Sequence, residues 1–207
     1  MDDAAFELLL VLLLMAPALW LRPWRMLARH ELLTPLLATL VILPLLWSLP
    51  LRQAMPLQLQ WSGACLVALC LGWPLAMLAL LAVGALTWWM APVSFDVVLG
   101  VTLWQGMAPA TLALLLGALL RRHAPHHPFV YVLGRAFFGT ALSVFAAALL
   151  SQWAGHTLPG VGADLSWVAR WLMAWGDAIV TGMLVSIFVA FRPQWLATWS
   201  DTLYLQR

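Results

Sequence analysis

Apolar residues run along this chain in long unbroken stretches, at 6–21, 32–51, 61–90, 99–120, 129–153 and 167–191, with polar residues gathered between them. Most of these stretches are long enough to cross the ~30 Å hydrocarbon core of a bilayer as a helix. The period-two alternation of a membrane barrel is missing, and the stretches are rich in Leu and Ala, which favour helices, so the pattern predicts an all-α polytopic membrane protein. The 61–90 stretch is too long for one span of ordinary tilt. It contains "LGWPLA", where Gly72 and Pro74 supply a turn, and it divides into helices at 61–71 and 75–90. The expected helices are therefore seven, at about 6–21, 32–51, 61–71, 75–90, 99–120, 129–153 and 167–191. Pro35, Pro44 and Pro50 kink or end the second unless neighbours satisfy the freed carbonyls. The tail 193–207 is too polar to span. Its Trp195, Leu196, Trp199, Leu203 spacing suits a short helix on the inner membrane surface or against a partner.

Composition removes the alternatives. Hydrophobic residues are 64% of 207, charged residues 9%, and lysine is absent, which no water-soluble domain of this size could cover its surface with. One membrane domain, 1–207, accounts for the whole chain. The acidic start "MDDAAFE" differs from the basic start of a secretory signal, so the first stretch is expected to be an uncleaved transmembrane helix. With seven helices, the groups Arg22/Arg25/Arg29, Arg121/Arg122 and Arg192/Arg207 fall on one side, whereas six helices would set them at odds. The positive-inside rule then puts the N-terminus outside and the C-terminus in the cytoplasm. Most of the 14 tryptophans, among them Trp20, Trp24, Trp47, Trp61, Trp88, Trp89, Trp153, Trp167 and Trp195, fall near helix ends and read as an interfacial belt.

Against this background a few polar residues need an explanation. Asp177 lies about ten residues into the last apolar stretch, where a carboxylate costs several kcal/mol unless it is paired, protonated or facing water. Arg135 is the other deep charge. The two differ in depth by roughly 10 Å at 1.5 Å per residue, so a salt bridge requires Arg135 to extend fully or the helices to shift. A structural polar clamp and transport chemistry both stay open for Asp177. Arg170, close to a helix end, is expected to snorkel. His123, His126 and His127 in "HAPHH" have a spacing that could hold a metal, yet no Cys or carboxylate accompanies them, and an exposed basic loop is the preferred account. Cys65 and Cys70 diverge around one helix and cannot form a disulfide; they read as packing residues. Small residues at Ala136, Gly139, Thr140, Thr181 and Gly182 permit close helix approach. No nucleotide-binding loop, zinc-protease motif or nucleophile elbow is present, so no enzyme activity is expected, and the weak positive charge reads as topology, without a nucleic-acid partner.

The order Asp177, Thr181-Gly182, an apolar run, Arg192-Pro193 and Leu196 resembles the end of energy-coupling-factor transporter permeases of the cobalt and nickel type, the CbiM-like family. Gly63 and Leu71-Gly72 with the following aromatic-proline pair, and Leu99-Gly100, are similar to its other short motifs. The resemblance implies a membrane fold of about seven helices and a substrate-capture subunit of a bacterial inner-membrane importer, working in the lipid bilayer with ATPase subunits and a coupling membrane subunit. Three positions depart from it. Asp2 stands where the family has a metal-gripping His, Gln60 where it has another His, and Thr102 where it has Asn. A pocket stripped of imidazoles is not expected to hold cobalt or nickel, so no metal and no cofactor are expected. The candidate intramembrane polar cluster is Asp177, Arg135, Thr181, Gln60 and Thr102. The alternative expectation is a non-transporting membrane subunit or assembly factor of a larger complex.

Overall fold

A computed structural model of the protein describes residues 3–28, 30–52, 61–125, 127–158 and 161–204. The described residues are helical throughout their regular structure, with no strand. We name the helices α1 (Asp3–Trp20), α2 (Leu33–Arg52), α3 (Ala64–Leu71), α4 (Trp73–Met90), α5 (Phe95–His123), α6 (Val130–Trp153), α7 (Ala163–Phe191) and α8 (Asp201–Tyr204). Five helices, α2 and α4 to α7, are long and apolar enough to cross a membrane, and α1 is a shorter apolar helix. Among the described residues, α1 to α7 each overlap one of the expected apolar stretches. The expected turn is present at Gly72, whose φ of 75° lies in the region glycine enters without cost, followed by Trp73 and Pro74 at the start of α4.

Two helices depart from regular α geometry. Val101–Met107 within α5 and Val130–Phe138 at the start of α6 are π-helical, a distortion that concentrates at functional sites.

The third helix is the unusual one. It has eight residues, about 12 Å at 1.5 Å per residue, so it cannot cross a bilayer alone. It is nevertheless buried along almost its whole length, packed against α4 and α5 and touching α2, α6 and α7. The sequence pattern started this helix at 61. It begins instead at Ala64, because Trp61, Ser62 and Gly63 form an irregular loop with Gly63 at φ 65°.

The two ends of the bundle differ in charge. Around Gly72, a Cβ would meet Met26 and Ala197, and Tyr131 bonds Thr198, so the first connection, the α3–α4 turn, the start of α6 and the segment after α7 share one end. This end carries Arg22, Arg25, Arg121, Arg122 and Arg192 and is called the arginine end below. Glu7, Asp96 and His156 line a cavity at the opposite, acidic end.

The tail behaves differently from expectation. Leu196 is buried, Trp199 and Tyr204 stack at 4.7 Å between centroids, and both pack edge-on against Tyr131. It docks on its own bundle, because its apolar face finds α3 and α6 there. Trp47 likewise leaves the interfacial belt: only 1% exposed, it donates an indole N–H to the Ser62 carbonyl. Trp20, Trp89 and Trp153 are more than four-fifths exposed on the outside of the bundle, as belt residues would be.

A candidate site at the floor of the acidic-end cavity

Asp177 stands at the midpoint of α7, fourteen residues after Ala163 and fourteen before Phe191 (177 − 163 and 191 − 177). That is roughly 21 Å from either end. Its side chain is 1% exposed. One carboxylate oxygen accepts the Ser62 N–H and the other the Gly63 N–H, each at 3.0 Å. Successive backbone N–H groups presented this way form an anion-binding concavity, and the left-handed Gly63 is what turns both toward one carboxylate.

The loop that Asp177 grips is satisfied from several other directions. Ser62 Oγ donates to the Gln105 carbonyl at 2.6 Å and accepts the Ala64 N–H at 3.2 Å, and Gln105 Nε2 donates to the Trp61 carbonyl at 2.9 Å. With the Trp47 indole on the Ser62 carbonyl, helices α2, α5 and α7 together hold three residues of irregular backbone. At the far end of α3, the Ala197 N–H donates to the Cys70 carbonyl at 2.9 Å, and Thr198 Oγ1 donates to the Leu69 carbonyl at 2.9 Å. Both ends of this short helix are therefore capped by the last part of the chain, which satisfies groups that a helix terminus otherwise leaves open.

Above the floor lies a cavity of about 450 Å³, lined by Ser62, Gln105 and Asp177 below and by Glu7, Asp96, His156 and Arg170 toward the acidic end. This is the size of an organic-ligand pocket. Glu7, 3% exposed, accepts the Trp104 indole N–H at 2.8 Å and is hydrogen-bonded to His156 Nε2 at 2.6 Å. Arg170 turns inward instead of snorkelling outward, because the His156 carbonyl accepts its Nη2 at 2.8 Å and Ser166 Oγ lies 3.4 Å from its Nε. Glu7, Trp104, Gln105, His156 and Arg170 thus join the site unannounced by any motif. The available signals are Glu7 and Arg170, charges inside the first and last apolar runs.

The sequence-predicted cluster is only partly assembled. Asp177 and Thr181 share one face of α7, one turn apart, and both are buried. Arg135 does not pair with Asp177: it lies toward the arginine end, its side chain pressed on Gly117 of α5 and its guanidinium carbon 5.8 Å from the Tyr131 ring centre. The depth difference between the two charges is not bridged by the side chain. Thr102 stands apart from Asp177 as well, donating to the Val98 carbonyl at 2.8 Å and packing where a Cβ on Gly84 would sit. Gln60, His126 and Asp2 lie outside the described residues. His123 and His127 are exposed, His123 bonded to the Leu119 carbonyl of α5 and His127 accepting the Phe129 N–H, and the described residues hold no group of three or more His, Cys, Asp or Glu that could bind a metal. Cys65 and Cys70 are free and buried.

No protein-family model, no curated protein and no solved structure matches this chain. The family resemblance accordingly rests on the short motifs alone.

Proposed function

We propose that the chain is the membrane substrate-capture subunit of an energy-coupling-factor-like importer in a bacterial inner membrane, with the acidic-end cavity as its capture site. The observation that supports this reading is the cavity floor. Irregular backbone at the middle of a membrane bundle is tolerated where it is buried in protein or lines a cavity, and discontinuous helices of this kind build substrate sites in transporters. Trp61–Gly63 and α3 have that form: the loop lies beside the midpoint of α7 and closes a ligand-sized space. In this reading α3 and the six longer apolar helices make seven membrane segments, the arginine end faces the cytoplasm and the acidic end the outside. Lacking a nucleotide-binding motif, the chain would act with a pair of ATPase subunits and a coupling membrane protein.

Affinity purification from native membranes tests the assignment. Recovery of ATPase subunits is the expected result, whereas recovery of a different membrane complex free of ATPase would favour a structural or assembly role. Reporter fusions after Arg122 and at the C-terminus should report cytoplasm, and one beside His156 should report the outside. Elemental analysis of the purified protein should find no stoichiometric cobalt or nickel.

A further inference from the structure

We propose that Arg135 and Arg121 form a site for a phosphate group, carried by a membrane phospholipid or free in solution, in a notch between α5 and α6 at the arginine end. The observation that calls for an occupant is an unsatisfied buried cation. Arg135 is 8% exposed, and its Nε and Nη1 have no hydrogen-bond partner. A guanidinium carries five N–H donors in a fixed fork and accepts nothing, so donors left unbonded in the interior demand an acceptor. Tyr204 takes one hydrogen bond and the Tyr131 ring lies 5.8 Å from the guanidinium carbon. Neither brings a full negative charge. The described residues show no carboxylate paired with Arg135, and its charged neighbour is a second guanidinium, Arg121, which repels it. Two cations held together at the edge of an apolar bundle are reconciled by an anion between them.

The fold builds this place deliberately. Arg135 stands in the π-helical start of α6, a distortion that concentrates at functional sites, and its Nε lies 2.6 Å from where a Cβ on Gly117 would sit. Any side chain at 117 would therefore expel the guanidinium. Gly117, Leu120, Arg121, Tyr131, Arg135 and Tyr204 line one notch of about 10 Å³, room for a single oxygen atom. That volume selects the ligand. A tetrahedral oxyanion can insert one oxygen toward Arg135 and keep the others at the mouth beside the exposed Arg121, whereas a larger organic anion has no space to enter.

Position along the helices agrees with a phosphate. Arg121 comes two residues before the end of α5 at His123, and Arg135 five residues after Val130, so both stand within roughly 8 Å of a helix end, where phospholipid headgroups lie. Basic notches between membrane helices recognise anionic headgroups in this way. The positive-inside rule accounts for arginines in and beside the loops, such as Arg122, but it places none within the bundle, where Arg135 stands. The site lies at the opposite end of the molecule from the acidic-end cavity and is independent of its occupant.

Thermal unfolding and native mass spectrometry of the delipidated, detergent-solubilised full chain test the site. The probes are phosphatidylglycerol in mixed micelles, sodium phosphate, and diacylglycerol as the lipid without phosphate, all at one ionic strength. Phosphatidylglycerol should bind saturably and raise the unfolding temperature, and diacylglycerol should do neither. A matching effect of sodium phosphate assigns the site to the free anion as well; its absence assigns it to the lipid headgroup. Arg121→Met and Arg135→Met should each weaken binding by at least about tenfold. Gly117→Ala, which keeps both charges but drives a Cβ into the space of the Arg135 guanidinium, should do the same. Arg122→Met removes the same charge one residue away, outside the notch, and should leave affinity within about threefold of wild type. If Arg135→Met fails to fold, the exposed Arg121 decides. The proposal is overturned if wild type binds neither phosphate probe saturably, as it would if a water alone satisfied Arg135. It is equally overturned if Arg121→Met binds like wild type, or if Arg122→Met weakens binding as much as Arg121→Met, which is the mark of a diffuse charge effect.

Discussion

Asp177 and Arg135 are both withdrawn from solvent, in helices that pack side by side, and they are held in opposite ways. Each Asp177 oxygen accepts a backbone N–H, and the residue closes a loop that two other helices, α2 and α5, also grip. Arg135 leaves Nε and Nη1 without a hydrogen-bond partner, and is fixed by packing on Gly117 and Tyr131 and by a side-chain hydrogen bond with Tyr204. The contrast shows that a buried charge is structurally indispensable when neighbouring polar groups depend on it, and depth alone does not make it so. Removing Asp177 strands two buried backbone donors; removing Arg135 takes one side-chain partner from Tyr204.

Substitutions graded along this contrast should give graded effects. Asp177→Leu removes the acceptor for both Ser62 and Gly63 and should cost about 3–5 kcal/mol, read as loss of monodisperse protein on gel filtration or a large drop in unfolding temperature. Asp177→Asn keeps one acceptor and turns an NH₂ toward the other N–H, so a loss of about 1–3 kcal/mol is expected in the same assay. Gly63→Ala leaves Asp177 intact but forces a side chain into the left-handed region, with its Cβ 3.2 Å from the Trp61 ring and 3.3 Å from Leu43. It should cost about 1–2 kcal/mol. Arg135→Met, which fills the same space without charge, should change stability by less than about 1 kcal/mol, in either direction. Near-equal losses for Asp177→Leu and Arg135→Met would erase the distinction between the two ways of holding a charge.

Much of the fold was legible because helix length, apolar composition and the Gly72 turn are local properties. The exceptional status of Asp177 was legible for the same reason: a carboxylate in an apolar run is visible without any partner. Its partner is hidden because Ser62 and Gly63 offer backbone N–H groups, which leave no side-chain signature, whereas Arg135 is a visible charge. The Glu7–His156 pair joins residues 149 positions apart, which no spacing rule reaches. Arg170 faces inward because a carbonyl awaits it, and the tail docks on its own bundle because the apolar face that Trp and Leu spacing reveals does not say which surface it will meet. The half-length α3 ends at the expected Gly72 turn but starts three residues later than the apolar run, because Trp61–Gly63 is held as a loop by partners distant in sequence.

Those caps also set an order of events during synthesis. The groups that satisfy α3 come from far downstream, Asp177 being 114 residues after Gly63 and Thr198 129 residues after Leu69. At roughly 5–20 residues per second, α3 leaves the ribosome roughly 6–26 seconds before its caps are complete. Through that interval an eight-residue apolar helix, too short to hold itself across a bilayer, has open polar ends. The bundle closes around this helix only when Asp177, Ala197 and Thr198 are in place.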